Sequence, residues 1–231
     1  MSQAFVTLLE APMGGGKTNT CTALMIDDYY RHTYGIENKG IPSRSWEVAF
    51  EKMSLKGPIV RIKKEDRPVI VPSDYHTYST TKIICNYHLY GVNYMYSPMA
   101  KVLDYINTPI LKDAKWALDE GWLVGESRKG MNPLVVFITE YAQLMRKLNV
   151  DLYWMTQHAR FLDWRIRYIT KRKILTSYDE KTHQCKLLIQ NLEKGTEKQI
   201  HYYAPMYWRY YNTYELPPMP EMSIAKARLY T

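Results

Sequence analysis

Runs of apolar residues with two different periods alternate along the chain, and they predict its elements. Residues 5–9 are a short continuous apolar run before a glycine-rich turn, which is typical of a buried parallel strand. Residues 17–30 then carry apolar side chains at roughly helical spacing. Further apolar runs predict strands at residues 81–90, 116–118 and 152–155.

Polar turns separate the remaining predicted elements. These are a hairpin at 59–62 and 69–71, a helix at 98–106, a helix at 132–148, and antiparallel strands at 173–177, 185–190 and 199–203. Because strands and helices alternate in the middle of the chain, we expect an α/β fold: a mainly parallel central sheet flanked by helices, plus C-terminal antiparallel strands. We expect a core at residues 1–172, with a less regular insert at about 31–80. A β-rich extension with a Pro-rich tail, residues 173–231, is expected to pack on the same domain.

A phosphate-binding motif lies between the first strand and the first helix. Residues 11–18 read APMGGGKT and fit the pattern A/G-x-x-x-x-G-K-S/T. Glycines let backbone N–H groups turn towards an anion, which the helix N-terminus also attracts. Lys17 is expected to reach the β- and γ-phosphates, and the Thr18 hydroxyl to bind Mg²⁺. The residues expected to surround the nucleotide are Ala11, Pro12, Met13, Gly14, Gly15, Gly16, Lys17, Thr18 and Asn19.

An acidic pair and a glutamine each follow a predicted strand. Asp119 can hold Mg²⁺, and Glu120 beside it can orient or deprotonate an attacking water. A solvated acidic turn is the alternative, since Lys115 makes the preceding strand AKWAL weaker than usual. Gln157 ends the next strand, at the edge where ligands of open α/β sheets bind. We interpret it as a γ-phosphate sensor, the alternative being a surface glutamine.

The charge composition favours a polyanionic binding partner. The 231 residues carry a net charge of +8, which favours nucleic acid or a membrane surface. A late basic cluster is expected to face DNA phosphates or to join subunits, and otherwise to be a solvated surface; it contains Arg160, Arg165, Arg167, Lys171 and Arg172. Three dispersed cysteines argue against a disulfide framework or zinc site. Without a signal peptide or a long apolar run, we expect a soluble or peripheral protein.

Four longer motifs carry a resemblance to a known family: APMGGGKT, ALDEGWLVGESRKGMN, LMRKLNVDLYWMTQH and FLDWRIRYIT. With these motifs in order, the chain resembles the FtsK–HerA superfamily of DNA-pumping ATPases, in particular its viral genome-packaging and Zot-like branches. The resemblance spans residues 3 to 172 approximately. It implies a RecA/ASCE-like P-loop NTPase fold, with ATP and Mg²⁺ as cofactors.

The resemblance also implies roles for individual residues. It makes residues 11–18 the Walker A motif, Asp119 the Walker B aspartate, Glu120 the catalytic base and Gln157 the sensor. Arg128, in the ESR segment, is implied to reach the nucleotide of a neighbouring subunit, and Arg146 is the alternative finger. An arginine suits this role because its planar, permanently charged fork matches phosphate oxygens.

The expected function is that of an ATP-hydrolysing motor that packages double-stranded DNA into a viral capsid. Expected partners are the DNA phosphate backbone, further copies in a hexamer or pentamer, and capsid or membrane vertex proteins of a virion. The expected location is the host cytoplasm or the packaging vertex. The chain lacks the extra domains of cellular translocases and the membrane segment of filamentous-phage Zot proteins, which favours packaging.

Three alternatives belong to different classes of function. The first is a Zot-like ATPase for phage extrusion or conjugation, and the second is a P-loop phosphotransferase that acts on a small acceptor. The third is a non-enzymatic interaction protein with a degenerate nucleotide site, which the intact lysine, threonine, aspartate and glutamate disfavour.

Overall fold

The computed structural model describes residues 6–33, 82–97, 112–121 and 147–212, and the strands in these ranges form one eight-stranded sheet. In chain order the strands are β1 (Val6–Glu10), β2 (Ile83–Cys85), β3 (Tyr94–Tyr96), β4 (Ala114–Leu118), β5 (Val150–Thr156), β6 (Arg172–Asp179), β7 (Gln184–Asn191) and β8 (Thr196–Tyr203). The α-helices are α1 (Lys17–Thr33) and α2 (Trp164–Ile169), and the 3₁₀ segments are Ala159–Phe161 and Ala204–Tyr210.

The strand order is β3-β2-β4-β5-β1-β6-β7-β8. All pairs from β3 to β6 are parallel, whereas β6–β7 and β7–β8 are antiparallel. The prediction of a mainly parallel sheet with C-terminal antiparallel strands is therefore confirmed. Because parallel strands end at the same edge, the residues that follow β1, β2, β4 and β5 lie along one edge of the sheet.

The central strands are buried from both faces. Every residue of β4 and β5 is buried. On one face α1 packs over a core that includes Leu9, Ala117 and Met155, and on the other α2 contributes Ile166 to a core with Trp154. Strands covered on both faces have no solvent-facing positions, which explains their continuous apolar runs.

The C-terminal strands continue the sheet beyond β1. Thr7 of β1 lies opposite Arg172, the first residue of β6, and β6 runs on past the end of β1. The β6–β7 turn is held by Oδ1 of Asp179, which accepts hydrogen bonds from the backbone N–H groups of Lys181 and Thr182. The 3₁₀ segment after β8 packs against α1. A division between core and extension at residue 172 stays a prediction.

The strand expected at residues 81–90 is shorter in the structure. β2 has three residues, and the chain turns after Cys85, so that Leu89 forms only an isolated bridge with Tyr211. The predicted hairpin at 59–62 and 69–71, the helix at 98–106, and the helix at 132–148 except for its last two residues lie outside the described residues.

Lys115 lies in β4 as a fully buried cation. Its Nζ is 2.7 Å from Oδ2 of Asp151 on β5 and 3.8 Å from Oδ2 of Asp28 on α1. Burial would lower the pKa of Lys115, but the neighbouring Tyr153, Asp151 and Asp28 raise it above its usual value, so the ammonium stays charged. β4 is nonetheless a strand of five buried residues, and Lys115 lies inside it as the partner of two carboxylates.

The structure also gives the state of the cysteines and the character of the helices. Cys21, Cys85 and Cys185 are buried free thiols. Within the four described ranges, no helix is both long enough and apolar enough to cross a membrane.

Replacing Lys115 by methionine should lower the free energy of unfolding by about 3–5 kcal/mol, because two buried carboxylates would lose the cation between them. Urea unfolding of the purified protein measures this difference. The matched control is Lys82→Met, because Lys82 is exposed and donates one hydrogen bond to the Lys112 carbonyl; it should change stability by less than about 0.5 kcal/mol. Equal effects of the two substitutions would show that the buried ion pairs do not stabilise the fold.

Candidate functional site

The turn between β1 and α1 brings backbone atoms unusually close together. A Cβ on Gly15 would lie 2.7 Å from Cβ of Ala11. Gly16 has a φ of +84°, and a Cβ there would lie 2.8 Å from Sγ of Cys185. Only glycine fits both positions. The turn closes with a 3.0 Å hydrogen bond from the Gly15 N–H to the Pro12 carbonyl, and α1 follows with its first N–H groups unused by the helix. This is the geometry of an anion-binding loop.

Lys17 places its ammonium within this loop. The residue is 7% exposed, and its Nζ donates to the carbonyl oxygens of Ala11 at 3.1 Å and Pro12 at 3.2 Å. An ammonium has three donors, so the two carbonyls position the group without using all of its capacity. The result is a positive charge held at the N-terminus of α1, where phosphate oxygens would bind.

Asp119 lies at the end of β4 and contacts the loop. The Thr18 hydroxyl donates a 2.6 Å hydrogen bond to Oδ2 of Asp119. Burial raises the pKa of Asp119, although the Thr18 hydrogen bond and the charge of Lys17 oppose the rise. A hydroxyl and a carboxylate oxygen in contact are the kind of ligands that Mg²⁺ prefers, so Thr18 and Asp119 fit a Mg²⁺ ion bound together with phosphates.

Asn86, which the sequence analysis did not single out, fixes the backbone of Asp119. Its Oδ1 accepts a 2.7 Å hydrogen bond from the Asp119 N–H, and its Nδ2 donates at 2.9 Å to the Asp119 carbonyl. Asn86 is fully buried directly after β2. Its side-chain amide therefore bonds the backbone of Asp119 just beyond the ends of β2 and β4, in the way that a neighbouring strand would. A polar residue after a buried strand at this edge was the available signal.

Glu120 has an uncommon backbone conformation for a residue with a side chain. Its φ is +49°, and its N–H donates a 2.9 Å hydrogen bond to Oδ1 of Asp119. Such a conformation costs on the order of 1 kcal/mol and is typical of functional sites. The next residue must be glycine, because a Cβ on Gly121 would overlap the indole of Trp154. The backbone therefore packs closely against the Trp154 indole directly after the acidic pair.

Gln157 leaves the sheet between the loop and the acidic pair. β5 lies between β1 and β4, with Thr156 opposite Glu10 on one side and Trp154 opposite Leu118 on the other. Gln157 is partly exposed at this edge. The register therefore places Gln157 at the sheet edge between the end of β1 and the end of β4, and its role as a sensor stays a prediction.

The residues of the basic cluster differ in their exposure and in their partners. Arg160 and Arg167 are exposed, whereas Arg165 binds Asp163 with two hydrogen bonds, at 2.8 Å and 3.1 Å. Those hydrogen bonds lower the pKa of Asp163. Lys171 pairs with Glu193, with Nζ and Oε1 3.1 Å apart.

Arg172 departs from the expectation for this cluster. It is 4% exposed at the start of β6, because that strand pairs with β1 inside the sheet. The structure therefore does not support Arg172 as a DNA-facing or subunit-joining residue. Arg128 and Arg146, the candidate arginine fingers, lie outside the described residues.

Two aromatic residues share the outer face of α2 with the exposed Arg167. Trp164 is 63% exposed and Tyr168 is 84% exposed, while Ile166 is buried beneath them. The spacing of Trp164 and Tyr168, four residues apart on a helix, was the available signal that they share a face.

Comparisons with solved structures show the fold. The N-terminal domain of zonular occludens toxin from Neisseria meningitidis matches 91% of this chain and 100% of its own, with a TM-score of 0.52 and 13% identity. The genome packaging NTPase B204 from Sulfolobus turreted icosahedral virus 2 matches 86% of this chain and 96% of its own, with a TM-score of 0.46 and 11% identity. The KaiC-like protein PH0186 from Pyrococcus horikoshii matches 85% of this chain and 84% of its own, with a TM-score of 0.42 and 14% identity.

At such low identity, the similarity to the zonular occludens toxin domain establishes a shared fold and nothing more. The TM-scores of B204 and PH0186 are lower, and we base no argument on them. The predicted P-loop NTPase fold is confirmed, and so is the resemblance to a Zot-like chain at the level of fold. No protein-family model and no curated protein matches the sequence.

Replacing Asn86 by alanine should lower the free energy of unfolding by about 2–4 kcal/mol, because the N–H and C=O of Asp119 would be left buried without these partners. Denaturant unfolding measures the effect. The exposed Asn93 offers the control substitution Asn93→Ala, expected to change stability by less than about 0.5 kcal/mol. An Asn86→Ala protein as stable as this control would show that the amide does not hold the acidic pair in place.

Proposed function

We propose that this protein is an ATPase that couples ATP hydrolysis to the movement of DNA. The observation that carries the proposal is the 2.6 Å contact between the Thr18 hydroxyl and the Asp119 carboxylate. These two residues are 101 positions apart, yet they meet at the mouth of the phosphate loop. A magnesium-nucleotide site needs such a meeting of loop and acidic strand.

Each residue of the site has its own role in ATP hydrolysis. Lys17 binds the terminal phosphates, Glu120 orients the attacking water and accepts its proton, and Gln157 contacts the γ-phosphate. When bound at Thr18 and Asp119, Mg²⁺ would offset negative charge on the phosphates. An arginine from a neighbouring subunit, Arg128 or otherwise Arg146, completes the site in an oligomer.

DNA as the cargo is supported by charge and by the outer face of α2. The net charge is +8, and the exposed Arg167 lies on the same helix as the exposed Trp164 and Tyr168. Arginines bind phosphates without reading sequence, and exposed rings can stack on bases. The motifs that resemble packaging ATPases favour double-stranded DNA, a hexameric or pentameric ring, and docking on capsid or membrane vertex proteins, at a virion vertex or in the host cytoplasm.

A second candidate is a Zot-like ATPase for phage extrusion or conjugation. The fold similarity to the N-terminal domain of zonular occludens toxin favours it as much as it favours packaging. Both candidates share the ATP site and differ in cargo and attachment. Preference for single-stranded DNA and binding to lipid vesicles would identify the second.

Replacing Lys17 by alanine should lower ATP turnover by at least about 100-fold, because the charge that stabilises the transferred phosphoryl group is lost. Glu120→Gln should reduce turnover similarly while ATP binding is retained, because an amide cannot accept the proton of the attacking water. Phosphate release, measured with and without double-stranded DNA, tests both, and DNA should raise the wild-type rate.

The matched controls are Lys194→Ala and Glu197→Gln, which alter exposed residues of the β7–β8 hairpin and should leave turnover unchanged. Full turnover in Lys17→Ala would contradict the ATPase assignment. Turnover that DNA leaves unchanged would contradict the coupling to DNA, and phosphate found on an acceptor other than water would indicate a phosphotransferase.

A further inference from the structure

Four aromatic side chains form an exposed cluster beside the phosphate loop, here called the ring patch: Tyr178, His183, Tyr203 and Trp208. The His183 ring lies 6.2 Å from that of Tyr178, 6.4 Å from that of Tyr203 and 5.6 Å from that of Trp208, measured between centroids. Trp208 is 43% exposed, and the other three are partly exposed. A nearly planar ligand could therefore reach these rings from solvent.

His183 is held at the centre of the ring patch by its backbone and by its neighbour. Its φ is +55°, a conformation that costs free energy for any residue with a side chain. The ring Nδ1 lies 2.7 Å from the Tyr178 hydroxyl, which fixes the imidazole relative to β6. A positive φ is common for histidine and for the last residue of a short hairpin loop, so the β6–β7 turn accounts for the backbone, while the contact with Tyr178 sets the direction of the ring.

Hydrogen bonds connect the ring patch to the phosphate loop. The Thr176 hydroxyl donates to the Gly15 carbonyl at 2.6 Å. Tyr178 lies two residues further along β6, so its Cα is about 7 Å from that of Thr176. The Asn19 amide donates at 3.2 Å to the Ala204 carbonyl, and the Ala204 N–H donates at 2.9 Å to the His183 carbonyl. These hydrogen bonds hold the ring patch and the loop next to each other.

The direction in which a nucleotide would lie across the loop indicates what the ring patch binds. Thr18 meets Asp119 on the β4 side of β1, so the terminal phosphates and Mg²⁺ belong on that side. The opposite side of the loop, beside β6 and β7, is then left for the rest of a nucleotide, and a Cβ on Gly16 would lie 3.6 Å from Cβ of Tyr178 there. Among the described residues there, the ring patch offers the aromatic faces on which a base can stack.

We propose that the ring patch is the base-binding part of the nucleotide site and that its ligand is the purine of a nucleoside triphosphate. This inference rests on the nucleotide-binding role proposed above for the phosphate loop. Stacking uses the face of a base and not its hydrogen-bonding edge. We therefore expect ATP and GTP to bind with affinities within a few-fold of each other.

Calorimetric titration of two variants with ATP and with inorganic tripolyphosphate, each with Mg²⁺, tests this inference. Trp208→Ala removes a stacking surface, and His183→Asn removes the imidazole while keeping a residue that tolerates positive φ. Each should weaken ATP binding about tenfold and leave tripolyphosphate binding unchanged, because only ATP carries a base. Trp208→Phe should retain most of the ATP affinity. The control is Tyr90→Ala, since Tyr90 is 51% exposed outside the ring patch, and it should change neither affinity.

The outcomes separate this inference from the function on which it rests. If the wild-type protein binds neither ATP nor tripolyphosphate, the nucleotide-binding role fails and the base site fails with it. If it binds both, and the ring patch variants bind ATP as tightly as the wild type, the base does not contact the ring patch although the function stands. If the variants lose both ligands equally, the ring patch supports the loop structurally, which also overturns the inference.

Discussion

The contact between Thr18 and Asp119 is the interaction on which the rest of the site depends. It forms because β5 lies between β1 and β4, so that the phosphate loop and the acidic pair end at the same edge, one strand apart. Asn86 holds Asp119 from the other side through two hydrogen bonds to its backbone. Three strands that are distant in sequence thereby fix one carboxylate next to one hydroxyl.

The C-terminal strands support the opposite side of the loop. Thr176 binds the Gly15 carbonyl, Cys185 fills the space beside Gly16, and the Tyr202 hydroxyl donates at 2.7 Å to Oδ1 of Asn19. These strands therefore hold the phosphate loop in place and are not only an appendage to the sheet. A loop fixed from both sides is preorganised to bind phosphates, since little conformational freedom remains to be lost.

Local patterns were enough to predict the loop, the first helix and the C-terminal antiparallel strands. Those features depend on neighbours in sequence: a glycine-rich turn before Lys17, and alternation within β6 and β7. Asn86, Lys115 and Arg172 could not be understood in this way. Lys115 is accounted for only when β4, β5 and α1 bring carboxylates around it, and Arg172 is buried only because β6 pairs with β1. Non-local pairing decides the role of each.

The measurement that tests the central claim most directly is the Mg²⁺ dependence of ATP affinity in a double-mutant cycle of Thr18→Val and Asp119→Asn. If the two side chains hold one ion, Mg²⁺ should strengthen ATP binding to the wild-type protein, each single variant should lose most of that gain, and the double variant should lose no more than either single variant. A shared metal site at this contact would be contradicted if the single variants kept the full effect of Mg²⁺ on ATP affinity. It would also be contradicted if the double variant lost the sum of the two single losses.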